Sequence, residues 1–276
     1  MKYDYYRAVL PESPDVALAQ WETEYDYSHL ERANPKFSYA RCMKAIFPGD
    51  DKETMAEFMW GGTNGENETF VQLVGARAQN HTSWIKENWP EHRTSRIDVC
   101  EDYRQPGSWE SLMKLGFKIA EDFGITTENA GDWVPHHGKG RTLYIGSRKS
   151  PAFIRIYEKG KKEGEDPNWV RLELEVKPPT KDKGLFCART PAQLWGYRKW
   201  TQQFFQRLTS IELDRLPTVP AAKSDYDRRV TSLVIQYGRT INEIYQRSGS
   251  TWDGFGQRFR QEELDLQPVS REDVLP

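Results

Sequence analysis

The sequence predicts an α+β fold with a largely antiparallel central sheet flanked by helices. Three features point there. Segments with period-2 apolar alternation follow one another; short stretches rich in Gly, Pro, Asn and Asp join them; and helix-patterned segments are too few to cross over between every pair of strands. Residues 1–35 are acidic and aromatic, with a short helical candidate near Asp15–Tyr27. Tyr39–Phe47 alternates and ends at Pro48-Gly49-Asp50-Asp51, a turn. Thr54–Trp60 and Glu68–Gly75 flank Gly61-Gly62-Thr63-Asn64-Gly65 and predict a hairpin. Ala76–Asn88 predicts a helix stopped by Pro90, and Ser95–Tyr103 a strand. Trp109–Phe123 places Leu112, Leu115, Ile119 and Phe123 on one helical face, with Ser108 as N-cap and Gly124 as terminator. Residues 141–177 then predict three strands. After Pro178-Pro179 the character changes: Thr190–Leu208 and Asp225–Ser248 are long helical candidates, and 250–276 predicts a poorly ordered tail. The expected organisation is a catalytic domain over 1–185, with its core at about 37–180, and a helical C-terminal region over 186–276. No internal repeat or low-complexity block is visible.

The chain has 276 residues, enough for one large domain with an appendage. Charged residues are 29% and hydrophobic residues 37%, so the expected protein is soluble and leans on its aromatics, 13% with ten Trp, for a core. Those rings suit base stacking equally well. Three cysteines without a CxxC pair argue against a zinc ribbon or a disulfide framework. No apolar run of membrane-spanning length and no signal-peptide core is present, so the expectation is a cytoplasmic protein with no membrane partner. The net charge of −2 does not advertise a nucleic-acid binder, but its distribution does. Residues 138–164 hold eight Lys or Arg against two Glu, a local excess of six positive charges.

The chemistry-bearing residues concentrate on three strands. Phe153, Arg155, Tyr157 and Lys159 fall on one side of the run 153–159 by alternation. Arg171, Glu173 and Glu175 share one side of Arg171–Val176, while Leu172, Leu174 and Val176 face a core. Asp98 and Asp102 share one face of the earlier strand, about 13 Å apart. A buried strand carries such carboxylates only if cations or a metal meet them: Mg²⁺ or Mn²⁺, which prefer oxygen ligands, or neighbouring arginines such as Arg96 and Arg171. Tyr157 is a nucleophile candidate, because Arg155, Lys159 or a metal would stabilise its phenolate against a phosphodiester. Tyr144 on the neighbouring strand is its rival. The turn Gly146-Ser147-Arg148-Lys149-Ser150 offers backbone donors and cations to phosphate, as do Arg141, Lys161 and Lys162. Such contacts position DNA without reading its sequence.

The pieces SRIDVCEDY (95–103), RTLYIGSRKS (141–150), FIRIYEKG (153–160) and WVRLELEVK (169–177), in this order and spacing, resemble the replication initiation factor family, the rolling-circle initiators of filamentous phages and small plasmids. The resemblance extends over about 37–180. It implies that Tyr157 nicks one strand of origin DNA, forms a 5′-phosphotyrosine link and later allows rejoining. It also implies that Asp98 and Glu173 first, Asp102 and Glu175 second, hold the metal. Implied partners are origin DNA, single-stranded or supercoiled, with a host helicase and polymerase. A conjugative relaxase of the same chemistry and a DNA-binding regulator that does not cut are the alternatives. The His-hydrophobic-His strand of the wider class of rolling-circle endonucleases is missing. His136 and His137 are adjacent and precede Gly138, so they are expected in a loop, and the metal site is expected to consist mainly of carboxylates.

Overall fold

The computed structural model describes residues 1–47, 53–64, 67–134, 137–218 and 225–265. Two compact units emerge, Met1–Val219 and Pro220–Pro276. The expected turn at 48–51 and His136 lie outside the described residues.

The first unit is organised by ten strands, among the described residues, in one sheet: β1 (Lys2–Leu10), β2 (His29–Arg32), β3 (Arg41–Ile46), β4 (Thr54–Trp60), β5 (Thr69–Val74), β6 (Arg93–Tyr103), β7 (Thr127–Gly131), β8 (Arg141–Ile145), β9 (Ala152–Tyr157) and β10 (Val170–Val176). Their order is β2-β3-β4-β5-β1-β6-β10-β9-β8-β7. Every neighbouring pair is antiparallel. The architecture is therefore the α+β class the sequence predicts. The order repeats itself: β1 is followed outward by β5, β4, β3 and β2, and β6 by β10, β9, β8 and β7. The sequence carries no visible repeat, yet the topology does.

One face of this sheet is apolar. Tyr6, Ala8 and Leu10 of β1, Val71 and Leu73 of β5, Ile97 and Val99 of β6, and Leu172, Leu174 and Val176 of β10 are all buried there. Helices close that face: α1 (Pro14–Glu24), α2 (Ala76–Asn88), α3 (Ser108–Phe123), the short α5 (Lys183–Phe186) and α6 (Pro191–Leu194), and α7 (Lys199–Thr209). They contribute Trp21, Trp84, Leu112, Ile119, Phe186, Leu194 and Phe204 to the same core. Each fully buried aliphatic side chain contributes about 1.5–3 kcal/mol relative to exposure. The single-turn α4 (Lys159–Glu163) follows β9 directly.

Four expectations need correction. The central strand β1 lies inside the segment expected to be only acidic and aromatic; its alternation is broken by an irregularity at Asp4, between Tyr3 and Tyr5. The cap of α3 is Gly107, left-handed at φ 83°, and Ser108 is the first helical residue; Gly124 terminates the helix as expected, at φ 61°. The expected long helix over Thr190–Leu208 is broken: Pro191 starts α6 behind a Thr190–Gln193 capping box, and Arg198 is extended before α7. The break lets Trp195 and Tyr197 turn inward. Finally, residues 250–265 are not tail but contain α9 (Trp252–Asp265), which follows α8 (Asp225–Arg247) in the second unit. Helix α5 spans residue 185 and helices α6 and α7 lie beyond it, all within the first compact unit.

Two buried histidines make the core acid-sensitive. His92 sits between the Tyr6 hydroxyl (2.5 Å) and the Trp89 carbonyl (2.5 Å), and His81 lies among Trp21 and Tyr25 with neither ring nitrogen partnered. Burial lowers both from 6.5 to about 4. The folded protein therefore resists protonation that the unfolded chain accepts. Stability is full above pH 6.5 and falls as pH drops toward 4, by about 2–3 kcal/mol per histidine. His81→Leu is expected to remove its share of that loss, measured by urea unfolding above and below this window. An unchanged loss would mean that His81 does not contribute.

Candidate functional site

Apolar residues on one side of each strand put charged residues on the other. Across that open face, register aligns Tyr157 of β9 with Arg171 of β10 and Arg171 with Asp102 of β6. One pleat along, Arg155, Glu173 and Cys100 are aligned; beyond them come Phe153, Glu175 and Asp98. The sequence-selected residues thus separate into a central cluster, on these rows, and a periphery.

At the centre, the Tyr157 hydroxyl donates to Glu173 Oε1 at 2.5 Å. Arg155 clamps the other carboxylate oxygen, with Nε at 2.9 Å. Burial raises the Tyr157 phenol well above its ordinary value, and the Glu173 charge adds to this, while Arg171 and Arg155 pull it back. The resting tyrosine is a protonated donor, and its acceptor is a carboxylate placed to take the proton. Glu173, expected only as a metal ligand, is thus also a base candidate for Tyr157.

Arg171, read in the sequence as a candidate partner of the carboxylates and not as a site residue, lies at the centre. It is 6% exposed and directly opposite Tyr157. Its Nε and Nη2 each donate to Asp102 at 2.7 Å, and Nη1 donates to Asp4 at 2.9 Å. Trp169 Nε1 also donates to Asp102, at 2.7 Å. Although burial opposes it, this bonding holds the Asp102 carboxyl well below the usual range. The irregularity in β1 at Asp4 is what supplies the second carboxylate. The sequence offered Arg171 as a partner for Asp98 or Asp102; it gave no sign that the guanidinium also lines a cleft beside Tyr157.

Asp98 is 3% exposed and bound by Arg96, with Nε at 2.8 Å and Nη2 at 2.5 Å. Arg96 also meets Glu175 at 2.8 Å. Burial pushes the Asp98 carboxyl up to about 6; Arg96 opposes this, and Glu175 and Glu173 reinforce it. The alternative in which Asp98 and Asp102 pair with Arg96 and Arg171 is the arrangement found. Three carboxylates, Asp98, Glu173 and Glu175, press on one another electrostatically, a donor set whose chemistry suits a hard divalent cation. Among the described residues, no three His, Cys, Asp or Glu side chains converge into a finished metal site. Each of these carboxylates turns toward an arginine.

The periphery is arranged differently from the alternation argument. Lys159 does not continue the strand face. It opens α4 and lies over the Trp169 ring, 4.7 Å from its centroid. Arg141 and Lys161 both bind Glu158, at 2.8 Å each, so these two cations of the basic stripe are neutralised locally. Lys162 approaches the Tyr157 ring at 5.8 Å. Arg148 lies 4.5 Å from the Tyr144 ring centroid, which stacks on Phe153, and Lys149 is exposed in the same turn. Tyr144 sits opposite Arg155 on the far side of β9 from β10, away from the strand that gives Tyr157 its carboxylate acceptor. Arg207 of α7 pairs with Asp122 of α3 at 2.7 Å. His137 donates its backbone N–H to Asp132, in a loop as expected.

The loop after Tyr157 is folded tightly back. Gly160 N–H donates to the Trp169 carbonyl at 2.9 Å, and a Cβ at Gly160 would collide with the Asp166 carbonyl. A cleft of about 410 Å³ opens beside the cluster, lined by Lys2, Asp4, Arg155, Tyr157, Arg171 and Glu173 and by Gly75–Ala76 at the start of α2. Cations, a helix N-terminus and a hydroxyl donor facing one cleft make it suited to a phosphate group. Arg171→Met is expected to destabilise the fold by about 3 kcal/mol, because Asp4 would lose its cation and Asp102 its two-pronged partner, keeping only Lys2 and Trp169. Equilibrium urea unfolding checks this; a change under ~1 kcal/mol would mean the cluster relaxes without it.

Residues 97–183 match the family described as replication initiation factor, as the motifs led us to expect. The solved structure of the rolling circle replication initiator protein from Geobacillus stearothermophilus is similar to this chain, with a TM-score of 0.52 at 14% sequence identity. The likeness covers 78% of this chain and 97% of that one. It shows a shared fold. A search of curated proteins finds no significant match.

Proposed function

We propose that the chain initiates rolling-circle DNA replication by nicking one strand at an origin, with Tyr157 as nucleophile. The observation that carries this is the Tyr157–Glu173 hydrogen bond inside a cleft lined by Arg155, Arg171 and Lys2. The matched family segment spans all three strands of the cluster and supports the reading.

The chemistry follows from the arrangement. Arg171, fixed from behind by Asp102 and Asp4, and Arg155 draw a phosphodiester into the cleft and offset its charge. Glu173 accepts the phenolic proton as Tyr157 Oη bonds to phosphorus. The bond from phosphorus to the 3′ oxygen breaks, and that oxygen leaves as a hydroxyl with a proton from solvent. The product is a 5′-phosphotyrosine ester and a free 3′ hydroxyl, with the bond energy retained for rejoining. Lys159, Lys162, Arg148 and Lys149 flank the cleft as phosphate contacts. Arg141 and Lys161 act first as partners of Glu158, holding the loop that carries α4.

A Mg²⁺ or Mn²⁺ ion held by Asp98 and Glu173, with Glu175 beside them, would supply further neutralisation of the phosphate charge. Asp102, committed to Arg171, serves instead to orient that arginine. Origin DNA is the partner this chemistry requires; a host helicase to open the duplex and a polymerase to extend the 3′ hydroxyl complete the proposed cycle in the host cytoplasm.

The test is incubation with a supercoiled cognate replicon and Mn²⁺, followed by denaturing electrophoresis. A covalent protein–DNA band is expected, and Tyr157→Phe is expected to abolish it. A band that survives the substitution would move the nucleophile to Tyr144; tight binding without any band would favour a regulator that does not cut. Asp98→Asn is expected to reduce nicking by at least 10²-fold at limiting Mn²⁺, with partial recovery at high Mn²⁺. Equal loss at all Mn²⁺ concentrations would remove Asp98 from the ligand set.

A further inference from the structure

The open face does not end at the tyrosine cluster. It continues across β6 onto β1 and β5, where the charge pairing changes. Arg96, Arg155 and Arg171 each grip a carboxylate. Arg7, directly opposite Arg96 in the β1–β6 ladder, meets none among the described residues. Its guanidinium donates to the Tyr5 hydroxyl and, at 3.1 Å, to Gln72 Oε1; its buried Nε has no partner. Its charge is therefore only partly compensated on the protein side.

Aromatic rings alternate with these cations. The Arg7 guanidinium lies 4.1 Å from the Phe37 ring centroid and 5.2 Å from that of Tyr5. Arg96 lies 4.4 Å from the other neighbour, Tyr5. The sequence Phe37, Arg7, Tyr5, Arg96 is thus a ladder of ring and guanidinium leading toward Asp98 and the Tyr157 cleft. Phe37 is 48% exposed. It and Ser38 are both left-handed, at φ 54° and 63°, a conformation that a bulky residue rarely adopts. Gly62 backs this loop so closely that a Cβ there would stand 2.5 Å from the Ser38 carbonyl. The loop holds an apolar ring out over an incompletely paired arginine, at a cost in backbone strain.

We propose that this ladder binds single-stranded DNA, with a base stacked on Phe37 and an adjacent phosphate on Arg7. An apolar partner would not satisfy Arg7, and duplex DNA would offer no free base face to Phe37. An unpaired strand answers both, because it carries π-faces and phosphates in alternation, as the ladder does. The site is separate from Tyr157. It extends the proposed action on DNA and needs no cleavage.

The experiment is fluorescence anisotropy at low salt, with chelator present, using labelled oligo-dT of ~16 nucleotides, an abasic oligonucleotide of equal length and a duplex. Phe37→Ala is expected to weaken oligo-dT binding about tenfold and to leave abasic binding unchanged, while Phe37→Trp retains it. Phe37 is exposed, so the variants are expected to fold, and circular dichroism confirms this. Unchanged oligo-dT affinity in Phe37→Ala overturns the proposal, as does an equal loss for oligo-dT and the abasic or duplex probe. Oligo-dT lacks an origin and chelator removes metal, so a failed nicking assay leaves this result standing, and the converse also holds.

Discussion

The register joining β6, β10 and β9 is the constraint on which the rest of the structure depends. Side chains alternate strictly along these strands, so a slip of one residue in β10 would bury Arg171, Glu173 and Glu175 against the helices and expose Leu172, Leu174 and Val176. The hydrophobic layer therefore fixes where the charges must go. It also fixes their neighbours: Tyr157 beside Arg171, Arg155 beside Glu173, and Glu175 beside Asp98. The same burial that stabilises the sheet assembles the cluster, without any residue having to be placed by a loop.

A face carrying so many ions on half-buried strands stands only if they compensate one another. Removing a carboxylate or guanidinium from water costs several kcal/mol, which direct pairing must offset. The pairs found here are short and mostly two-pronged, and they use arginine, whose planar fork fits a carboxylate. Compensation also sets the resting state of the chemistry. Glu173 is shared between Arg155 and the Tyr157 hydroxyl, so an arriving phosphate competes with it for Arg155. Releasing Glu173 from that clamp would make it a better proton acceptor at the moment the substrate is seated. The cost of the paired state is thus tied to substrate arrival.

Much of this was legible in the chain. Arg171–Val176 alternates without a fault, which gave both the strand and the outward direction of its glutamates; Arg96–Tyr103 and Phe153–Tyr157 read the same way. The helix at 76–88 was read up to its stop at Pro90, and the one at 109–123 from its apolar spacing and a terminating glycine. Other parts were hidden for physical reasons. In β1 the apolar set is Tyr6, Ala8 and Leu10, and the irregularity at Asp4 shifts the alternation just where tyrosines occupy both faces. Local pattern cannot reveal that such a strand is central. The break at Arg198 depends on Trp195 and Tyr197 finding room in a core built from distant segments. Lys159 was assigned to the face by counting, but the chain leaves the strand after Tyr157. Arg171 was legible as a partner for Asp102, but not its second carboxylate, Asp4, which is far off in sequence and reaches it through the irregularity in β1.

The repeated strand order explains why the site has so large a surface at its disposal. Each half of the sheet sends its helices to the same side, so the opposite side is left to the charged rows of β1, β6, β10 and β9, while Cys42, Met59 and Phe70 of β3, β4 and β5 form a small second cluster there with Ala33 and Tyr39. The two halves meet at β1 and β6, their innermost strands, and no sheet edge interrupts the join; the outer strands β2 and β7 are short, with four and five residues. Charge is distributed unevenly over this continuous face. Around β9 and β10, arginines are matched by carboxylates. Around β1, among the described residues, Arg7 is matched by a hydroxyl, an amide and rings. A polyanion lying along the face would therefore displace an existing partner at one end and meet a waiting cation at the other. Under the proposed function, initial capture would be easier where nothing has to be displaced, and delivery to Tyr157 would follow along the same strands.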